Sequence, residues 1–365
     1  MQSTASKLRD QAACVCCAAA LDLDAETIAC ERCAQAYARI GRIPVLLPRA
    51  HDYVSAWREQ LWTLEKQGEH TLAAIQAELN TPGLSRAAET RLRALSRALE
   101  DQVRDIVSIV EPALGSALEN ERGALPRGVV EYIQFLYRDW GWESAGNSEN
   151  ARAIAAIRPL LAGRELGCTL VLGAGGCRFA YDLHREFAAR ETAVLDIDPF
   201  LFLFAEAVVR GEPVQLTEAI ANVQELAQVS KAWLLRAPAG PLDTNEFHFF
   251  LANALAPPFD DHTFDTVVTP WFVDQVPGDL LAFFERIRRL LVPGGCWLNT
   301  GPLLYPPDAP LSRRYSREEI FELAERAGFR IAEHASESRP HLESPLTGRG
   351  KIEWISSFLA FSAAP

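Results

Sequence analysis

Four cysteines near the start of the chain have the spacing of a metal site. Cys14 and Cys17 form one Cys-x2-Cys pair, and Cys30 and Cys33 form a second pair after twelve intervening residues. Two such pairs supply four thiolates, which is the ligand set of a structural zinc ion with tetrahedral coordination. The alternatives are a redox pair or a chance pairing, and Cys16 is a spare thiol beside the second ligand. The sequence therefore predicts a structural Zn²⁺ bound by Cys14, Cys17, Cys30 and Cys33.

A glycine-rich turn follows a short apolar run later in the chain. Residues 169–174 (TLVLGA) are typical of a buried strand, and a helical pattern begins near Arg178. Between them, Gly173, Ala174 and Gly175 form a turn where a ligand can approach the backbone and where φ can be positive. These three residues are candidate cofactor-binding residues. A tight turn with no ligand is the alternative.

Asp196 lies at the end of the next predicted strand, twenty-one residues beyond Gly175. A carboxylate at that position can accept hydrogen bonds from both hydroxyls of a ribose. The pair therefore indicates a cofactor of the adenosine type. A dinucleotide is the rival ligand, but its G-x-G-x-x-G pattern requires glycine where this chain has Arg178. The departure favours a cofactor without phosphate groups.

The elements around these residues predict an α/β fold. Further strands are expected at 192–198, 247–254, 264–271 and 295–302, with helices at 200–210, 278–291 and 316–327. This alternation implies a parallel, Rossmann-like sheet with helices on both faces, and residues 354–363 would supply a late edge strand. Residues 51–120 carry apolar side chains at helical spacing with a break at 81–83, which predicts two or three helices in a packing or lid layer.

Composition restricts the class of protein. Among 365 residues, 48% are hydrophobic and 23% are charged, and the formal net charge is −12. The acidic balance makes nucleic acid an improbable partner. No run approaches the roughly 18 apolar residues of a membrane span, and the first seventeen residues lack the apolar core of a secretion signal. We expect a soluble, cytoplasmic protein without a membrane partner; the oligomeric state is not determined by the sequence.

Two segments resemble class I S-adenosylmethionine-dependent methyltransferases. The stretch from Asn253 and Ala254 through PPFDDHTFD is similar to the family's D-A-x-x-L-P-F-x-x-x-x-F-D motif. By this resemblance Asn253 and Ala254 would hold the adenine, with the Asn253 carbonyl oxygen accepting the hydrogen bond that the family's Asp accepts. Residues 293–295 (PGG) are similar to the turn before the fifth strand and are expected to be structural.

From residue 125 onward the chain resembles the carnosine N-methyltransferase family. The resemblance lies in FLYRDWG (135–141), VLGAGGCRFAYDL (171–183), VVTPWFVDQV (267–276) and NTGPLLYP (299–306). It implies S-adenosylmethionine as cofactor, with Arg138 at the cofactor carboxylate and Asp274 at the acceptor. The full set of cofactor-binding candidates is Arg138, Gly173, Ala174, Gly175, Asp196, Asn253, Ala254 and Pro270.

The same resemblance yields candidates for the acceptor pocket. Asp274 and Tyr305 are the catalytic candidates, and Asp274, Tyr305 and Trp354 are the substrate-binding candidates. Alternatives are a helix N-cap for Asp274 and plain packing for Tyr305. Two departures from the family are Cys177, where the loop has a third glycine, and Pro306, where a substrate-binding His follows GPLLY. The second departure places carnosine in doubt as the acceptor.

The N-terminal cysteine segment resembles small zinc-ribbon proteins that activate methyltransferases as separate partners. We therefore predict three parts: a zinc ribbon (10–49), a helical region (50–124) and a class I methyltransferase domain (125–365). The predicted activity is methyl transfer from S-adenosylmethionine to a nitrogen of a small molecule or peptide-like metabolite. A macromolecular methyltransferase that uses the ribbon to dock protein or RNA is the alternative.

Overall fold

The structure, a computed structural model, describes residues 8–114 and 129–362 and contains the predicted alternation of strands and helices. Ten of the strands in these residues form one sheet, and two others form a separate hairpin. The strands are β1 (Ile28–Ala29), β2 (Ala36–Ile40), β3 (Ile43–Leu46), β4 (Cys168–Leu172), β5 (Glu191–Asp196), β6 (Val214–Ala219), β7 (Ser230–Leu235), β8 (Phe247–Ala252), β9 (Phe264–Pro270), β10 (Leu291–Gly301), β11 (Phe329–His341) and β12 (Lys351–Ser362). The helices are α1 (Ala50–Leu79), α2 (Arg86–Leu114), α3 (Val129–Leu136), α4 (Glu143–Ile157), α5 (Arg178–Glu186), α6 (Pro199–Val209), α7 (Leu280–Leu290) and α8 (Arg317–Arg326).

The order of the strands locates the crevice in which a ligand can bind. The sheet runs β1-β2-β3-β8-β5-β4-β9-β10-β12-β11, and the six strands from β3 to β10 are parallel. The chain proceeds from β4 to β5 and β8 on one side, then returns to β9 on the other side of β4. In open α/β sheets, ligands bind at the carboxyl ends of the strands where the order reverses in this way. The fold is therefore α/β with a Rossmann-like sheet.

The structure corrects the prediction for the last strand. Residues 354–363 were expected at the sheet edge, but β12 lies between β10 and β11 and is antiparallel to both. The edge is formed by β11, whose residues are mostly exposed or partly exposed. Its sequence lacks the apolar alternation of a half-buried strand because edge strands tolerate polar residues. The β6–β7 hairpin, in the long insertion after α6, was likewise not predicted.

The helical region contains two long helices joined at residues 80–85. In α1, Val54, Trp57 and Leu61 are buried and pack in the same core cluster as Phe200 of α6. The break at 81–83 was predicted, and Gly83 has a φ of +86° there. Residues 1–7 and the predicted boundary at 124/125 lie outside the described residues. Within residues 8–114 and 129–362, no helix is both long enough and apolar enough to cross a membrane.

The cysteine segment is continuous with the main sheet. Strand β3 pairs in parallel with β8, with Val45 opposite Leu251 and Leu46 opposite Ala252. Apolar residues of the segment, including Leu21 and Ile28, belong to the core cluster under the central strands. Hydrogen-bonded pairing and a shared core couple the segment energetically to the rest of the fold.

Candidate functional site

The four predicted metal ligands lie together. The Sγ atoms of Cys14, Cys17, Cys30 and Cys33 are all within 4.8 Å of one another. The Cys14–Cys33 distance is 3.5 Å and the Cys17–Cys30 distance is 3.4 Å, both far longer than the ~2.05 Å of a disulfide. Zinc–sulfur bonds of ~2.3 Å in a tetrahedron place sulfurs ~3.8 Å apart, so the four thiolates fit zinc. Cys16 is exposed and lies outside this cluster.

Tyr37 of β2 supports the cysteine cluster. Its hydroxyl donates to Cys14 Sγ at 3.1 Å and accepts from the main-chain N–H of Val15 at 3.1 Å. Groups that hydrogen-bond to metal ligands fix the ligand orientation. The cluster therefore has an ordered second layer, supplied by the strand that leads into β3.

The glycine loop lies at the carboxyl end of β4. Gly173 and Gly175 have φ values of +69° and +52°, which glycine adopts without steric cost. A Cβ at Gly173 would overlap the ring of Phe272, whereas a Cβ at Gly175 would meet no atom within 4 Å. The N–H of Ala174 donates to Leu195 at 3.1 Å, which ties the loop to β5. The open space at Gly175 allows a ligand to approach the backbone.

Asp196 is oriented by three main-chain N–H groups. Its Oδ2 accepts from Gly175 at 2.8 Å, and its Oδ1 accepts from Ile197 at 2.7 Å and Asp198 at 3.1 Å. A carboxylate has about four acceptor positions, so one remains for a hydroxyl. Burial raises the pKa of Asp196, and the three N–H groups oppose that shift by stabilising the charged form.

Cys177 occupies the position where the resembled loop has glycine, and its backbone shows why glycine is used there. Its φ is +64°, in the left-handed region that costs a non-glycine residue of order 1 kcal/mol. The side chain is fully buried at the start of α5, and burial raises the pKa of the thiol well above its usual value. The loop thus keeps the glycine conformation without the glycine.

Arg138 is brought beside the glycine loop by a turn of π-helix, Tyr137–Gly141. Its guanidinium pairs with Asp139 at 2.6 Å and approaches Glu149 at 3.6 Å. A Cβ at Gly176 would overlap the Asp139 carboxylate, and Trp140 Nε1 donates to the Gly176 carbonyl at 2.8 Å. π-helical turns in α-helices occur often at functional sites. This turn places the RDW sequence against the loop.

Asn253, Ala254 and Pro270 follow the ends of neighbouring strands. Asn253 is exposed just beyond β8, and Ala254 is buried. The Oδ1 of Asn253 accepts from the N–H of Leu255 at 2.9 Å, which leaves one lone pair for an adenine amino group. Pro270 is the buried last residue of β9. All three lie at the same carboxyl edge as Asp196.

Asp274 and Tyr305 come together at that edge. Asp274 lies in a 3-10 turn after β9 and is buried, and its Oδ2 accepts from the N–H of Leu304 at 2.7 Å. Burial raises the pKa of Asp274, although the Leu304 N–H opposes the shift. The N-cap of α7 is Asp279, which accepts from Leu281 at 2.9 Å. The N-cap alternative for Asp274 is therefore wrong.

The Tyr305 hydroxyl is buried and has no hydrogen-bond partner among the described residues. The main-chain N–H of Tyr315 faces it without reaching hydrogen-bond geometry. Burial, with the nearby Asp274 charge, raises the pKa of Tyr305, so the hydroxyl keeps its proton at neutral pH. An unpaired buried hydroxyl costs ~1–3 kcal/mol, and a polar ligand atom would relieve this cost. The residue two positions earlier, Leu303, has a φ of +52°.

The structure adds a buried polar cluster that the sequence analysis missed. Trp271 Nε1 donates to Glu353 Oε2 at 3.1 Å, and the Trp271 ring stacks on His341 with centroids 6.0 Å apart. His341 Nδ1 lies 3.3 Å from Glu149 Oε1, and Arg339 lies over the Trp271 ring at 4.8 Å. Trp271 was within a quoted motif, but no spacing in the sequence links β11 and β12 to it.

The cluster is carried by the end of the β11–β12 hairpin. Strand β10 ends at Gly301, opposite Ser356, so residues 351–355 and their partners 337–341 extend past the parallel strands. Trp354 in this extension is 65% exposed, whereas Glu353 beside it is buried. Successive side chains of a strand point to opposite faces. Trp354 therefore lies on the face of the strand opposite to Glu353, and its place in the acceptor pocket stays a prediction.

Most of the residues described at this edge of the sheet lie within a match to a known protein family. The family model described as carnosine N-methyltransferase matches residues 124–342, more than half of the chain. The chain belongs to the carnosine N-methyltransferase family. The matched range contains Arg138, the glycine loop, Asp196, Asp274 and Tyr305, while the cysteine cluster, α1, α2 and β12 lie outside it.

Individual relatives are similar over short ranges. The carnosine N-methyltransferase of Dictyostelium discoideum is 28% identical over 92 residues, covering 25% of this chain and 20% of that protein. The enzyme of Rattus norvegicus is 34% identical over 73 residues, covering 19% and 18%, and that of Schizosaccharomyces pombe is 27% identical over 105 residues, covering 26% and 27%. The chain therefore aligns with only about a fifth to a quarter of these curated relatives.

Solved structures are similar over part of this chain. A complex of the Haloferax volcanii Trm112 methyltransferase activator with a methyltransferase is 16% identical with a TM-score of 0.43, covering 64% of this chain and 97% of that chain. A sarcosine dimethylglycine methyltransferase from Galdieria sulphuraria is 17% identical with a TM-score of 0.39, covering 60% and 88%.

Proposed function

We propose that the chain is an S-adenosylmethionine-dependent methyltransferase that acts on a nitrogen of a small molecule or peptide-like metabolite. The observation that carries the proposal is that the buried Asp274 carboxylate and the nearby Tyr305 hydroxyl, which has no hydrogen-bond partner among the described residues, lie at the same edge of the sheet as the glycine loop. Phe272, two residues before Asp274, packs directly on Gly173. The acceptor side and the cofactor side thus share one crevice, and the carnosine N-methyltransferase family match spans both.

Residues around the crevice would hold the cofactor. The open backbone at Gly175 and the free lone pair of Asp196 would take the ribose, and Asn253 with Ala254 would take the adenine. Arg138 would pair with the carboxylate of the methionine part, next to Ala174 and Pro270 at the strand ends. The bound cofactor supplies a sulfonium methyl group, an electrophile that requires no activation by the protein.

The acceptor is positioned by the chain's own side chains. In-line displacement requires the nucleophile about 3 Å from the methyl carbon, so most of the rate enhancement can come from orientation. Asp274 accepts a hydrogen bond from the acceptor N–H and takes its proton, and the burial that raises the pKa of Asp274 makes it a stronger base. Tyr305 donates a hydrogen bond from its unpaired hydroxyl to a second polar atom of the methyl-accepting substrate.

We propose an acceptor other than carnosine. Pro306 stands where the resembled family has a substrate-binding His, and proline carries no side-chain donor or acceptor. An imidazole held by Asp274 alone would keep one nitrogen unpaired in a desolvated pocket, at ~1–3 kcal/mol. A nitrogen nucleophile whose polar atoms match Asp274 and Tyr305 is expected instead.

The N-terminal cysteines would bind one structural zinc ion, and the three-part division at 49/50 and 124/125 remains our proposal for the domains. We also propose a cytoplasmic location, because clustered Cys-x2-Cys pairs that come together as a metal site are typical of proteins whose thiols stay reduced. The net charge of −12 supports a small-molecule rather than a nucleic-acid substrate.

Calorimetry tests the cofactor assignment. The purified protein should bind S-adenosylmethionine and S-adenosylhomocysteine but not NAD, because the loop lacks the third glycine of the dinucleotide pattern. Asp196→Ala should weaken cofactor binding by ~1–3 kcal/mol through the lost charged hydrogen bonds. Binding of NAD, or unchanged affinity in Asp196→Ala, would contradict the assignment. A screen with labelled cofactor against amine and imidazole metabolites then identifies the acceptor.

A further inference from the structure

Helix α1 reaches the turn that follows β5. The Tyr53 hydroxyl donates to the main-chain carbonyl of Ile197 at 2.7 Å. Ile197 lies between Asp196 and Asp198 and is 58% exposed at the carboxyl edge of the sheet. The N–H groups of Ile197 and Asp198 both donate to Asp196. Tyr53 thus binds the carbonyl of the peptide group whose N–H, that of Asp198, donates to the candidate ribose-binding carboxylate.

Two further contacts hold Tyr53 in place. The Trp57 ring, one helical turn along α1, packs on Phe200 of α6 with centroids 5.2 Å apart, and it touches the Tyr53 ring at 6.2 Å. Helix α1 also begins four residues after β3, which is hydrogen-bonded to β8. The start of α1 is therefore fixed by the sheet on one side and by α6 on the other.

We propose that Tyr53 is a positioning residue for the cofactor, acting through the turn Asp196–Asp198, so that α1 completes the adenosine end of the site. This inference rests on the proposed function. Rotation of the peptide after Ile197 would move the Asp198 N–H away from Asp196, and the Tyr53 hydrogen bond opposes that rotation. Burial and the charges of Asp198 and Asp196 raise the pKa of Tyr53 well above its usual value, which keeps the hydroxyl a donor.

Tyr53 lies outside the range that the carnosine N-methyltransferase family model matches, which begins at residue 124. The contact is therefore a feature of this chain that the matched range does not supply. The apolar spacing of the helical region predicts a packing or lid layer. The structure instead gives one of its side chains a polar contact at the cofactor edge.

The test compares two tyrosine hydroxyls that each donate to a main-chain carbonyl at 2.7 Å. Tyr53→Phe removes the bond to Ile197, and the control Tyr181→Phe removes the bond to the Gly240 carbonyl together with a 3.2 Å bond from the Ala239 N–H, away from the turn. Calorimetry with S-adenosylhomocysteine should show about fivefold weaker binding for Tyr53→Phe, equivalent to ~1 kcal/mol. Tyr181→Phe should bind like the wild type. Equal affinity in all three proteins would overturn the inference.

A double-mutant cycle distinguishes positioning from general loosening. If Tyr53 acts through Asp196, then Tyr53→Phe should weaken binding less than twofold in an Asp196→Asn background. Fully additive losses would show that Tyr53 does not act through the turn. Failure of the wild type to bind S-adenosylhomocysteine would instead contradict the proposed function. Wild-type binding with an unaltered Tyr53→Phe affinity would contradict only the inference.

Discussion

The part of the chain before residue 115 and the part matched by the family model differ in the chemical groups that they contribute. The first contributes four thiolates and two long helices, and long-range hydrogen bonds such as those between Tyr53 and Ile197 and between Asp105 and Thr217 connect it to the rest of the chain. The second concentrates buried carboxylates, the Arg138–Asp139 ion pair and residues with positive φ such as Cys177 at one edge of the sheet. Strained and desolvated groups of this kind cluster at functional sites. Chemistry therefore lies in the matched part.

The two parts are nevertheless joined in one sheet. Strand β3 extends the parallel strands beyond β8, and Tyr53 contacts the turn beside Asp196. A family boundary is thus not a structural boundary in this protein. We therefore expect substitutions in the cysteine segment to weaken cofactor binding, whereas substitutions of the acceptor-side residues should leave cofactor binding unchanged.

The largest effect is expected from loss of the cysteine ligands. Zinc supplies ~10–16 kcal/mol of apparent binding energy to small zinc folds, and here that fold carries β3. In Cys30→Ser/Cys33→Ser, elemental analysis should show no zinc, limited proteolysis should cut the segment, and S-adenosylhomocysteine affinity should fall. The control Cys16→Ser, an exposed thiol outside the cluster, should retain one zinc per chain. Full zinc retention in the double variant would refute the assignment.

Asp274→Asn should act on turnover alone. Asparagine keeps the acceptor oxygen for the Leu304 N–H but cannot take a proton, and loss of a general base costs 10²–10⁴-fold. Turnover with the acceptor found in the screen should fall by that range while cofactor affinity stays within twofold. Normal turnover would remove Asp274 from catalysis, and a large loss of cofactor affinity would show that the two sides of the crevice are not separable.

A smaller, pH-dependent effect is expected at the start of α6. Burial, together with the Asp196 charge, raises the pKa of Asp198 to about 7 although Leu201 and Phe200 donate to it. Because the folded-state pKa exceeds the unfolded value, its contribution to stability is full below pH 4 and is lost as the pH rises through 7. Asp198→Asn keeps the N-cap acceptor without this loss.

Urea unfolding measures this difference. The unfolding free energy of Asp198→Asn relative to wild type should rise by ~1–2 kcal/mol between pH 4 and pH 8, after allowance for partial solvent access. The comparable change at the exposed N-cap of α7, Asp279→Asn, is the control. A constant difference across this range would show that Asp198 does not titrate within it.

The smallest expected effect concerns the acceptor. Pro306→His restores the side chain that the resembled family has after GPLLY, and a regained hydrogen bond of ~1 kcal/mol corresponds to about fivefold. The kcat/KM for carnosine should rise by about that factor over a weak wild-type value. Efficient carnosine methylation by the wild type would contradict the proposed specificity.

Local patterns in the sequence were sufficient for much of the site. The cysteine spacing, the glycine turn and the strand-end Asp196 each depend on residues close together in the chain, and the structure brings them into the expected places. Short-range geometry fixes these features because the backbone permits few conformations over a few residues.

Long-range pairing decided what the sequence left open. Three features depend on strands or helices that are far apart in the chain. They are the pairing of the polar strand β11, the buried position of Glu353 beside Trp271, and the contact of Tyr53 with Ile197. The sequence by itself predicted the α/β class, the candidate metal ligands and a cofactor of the adenosine type through local spacing. Only the tertiary structure determined which side chains face the crevice, because register and packing place residues by their partners rather than by their neighbours.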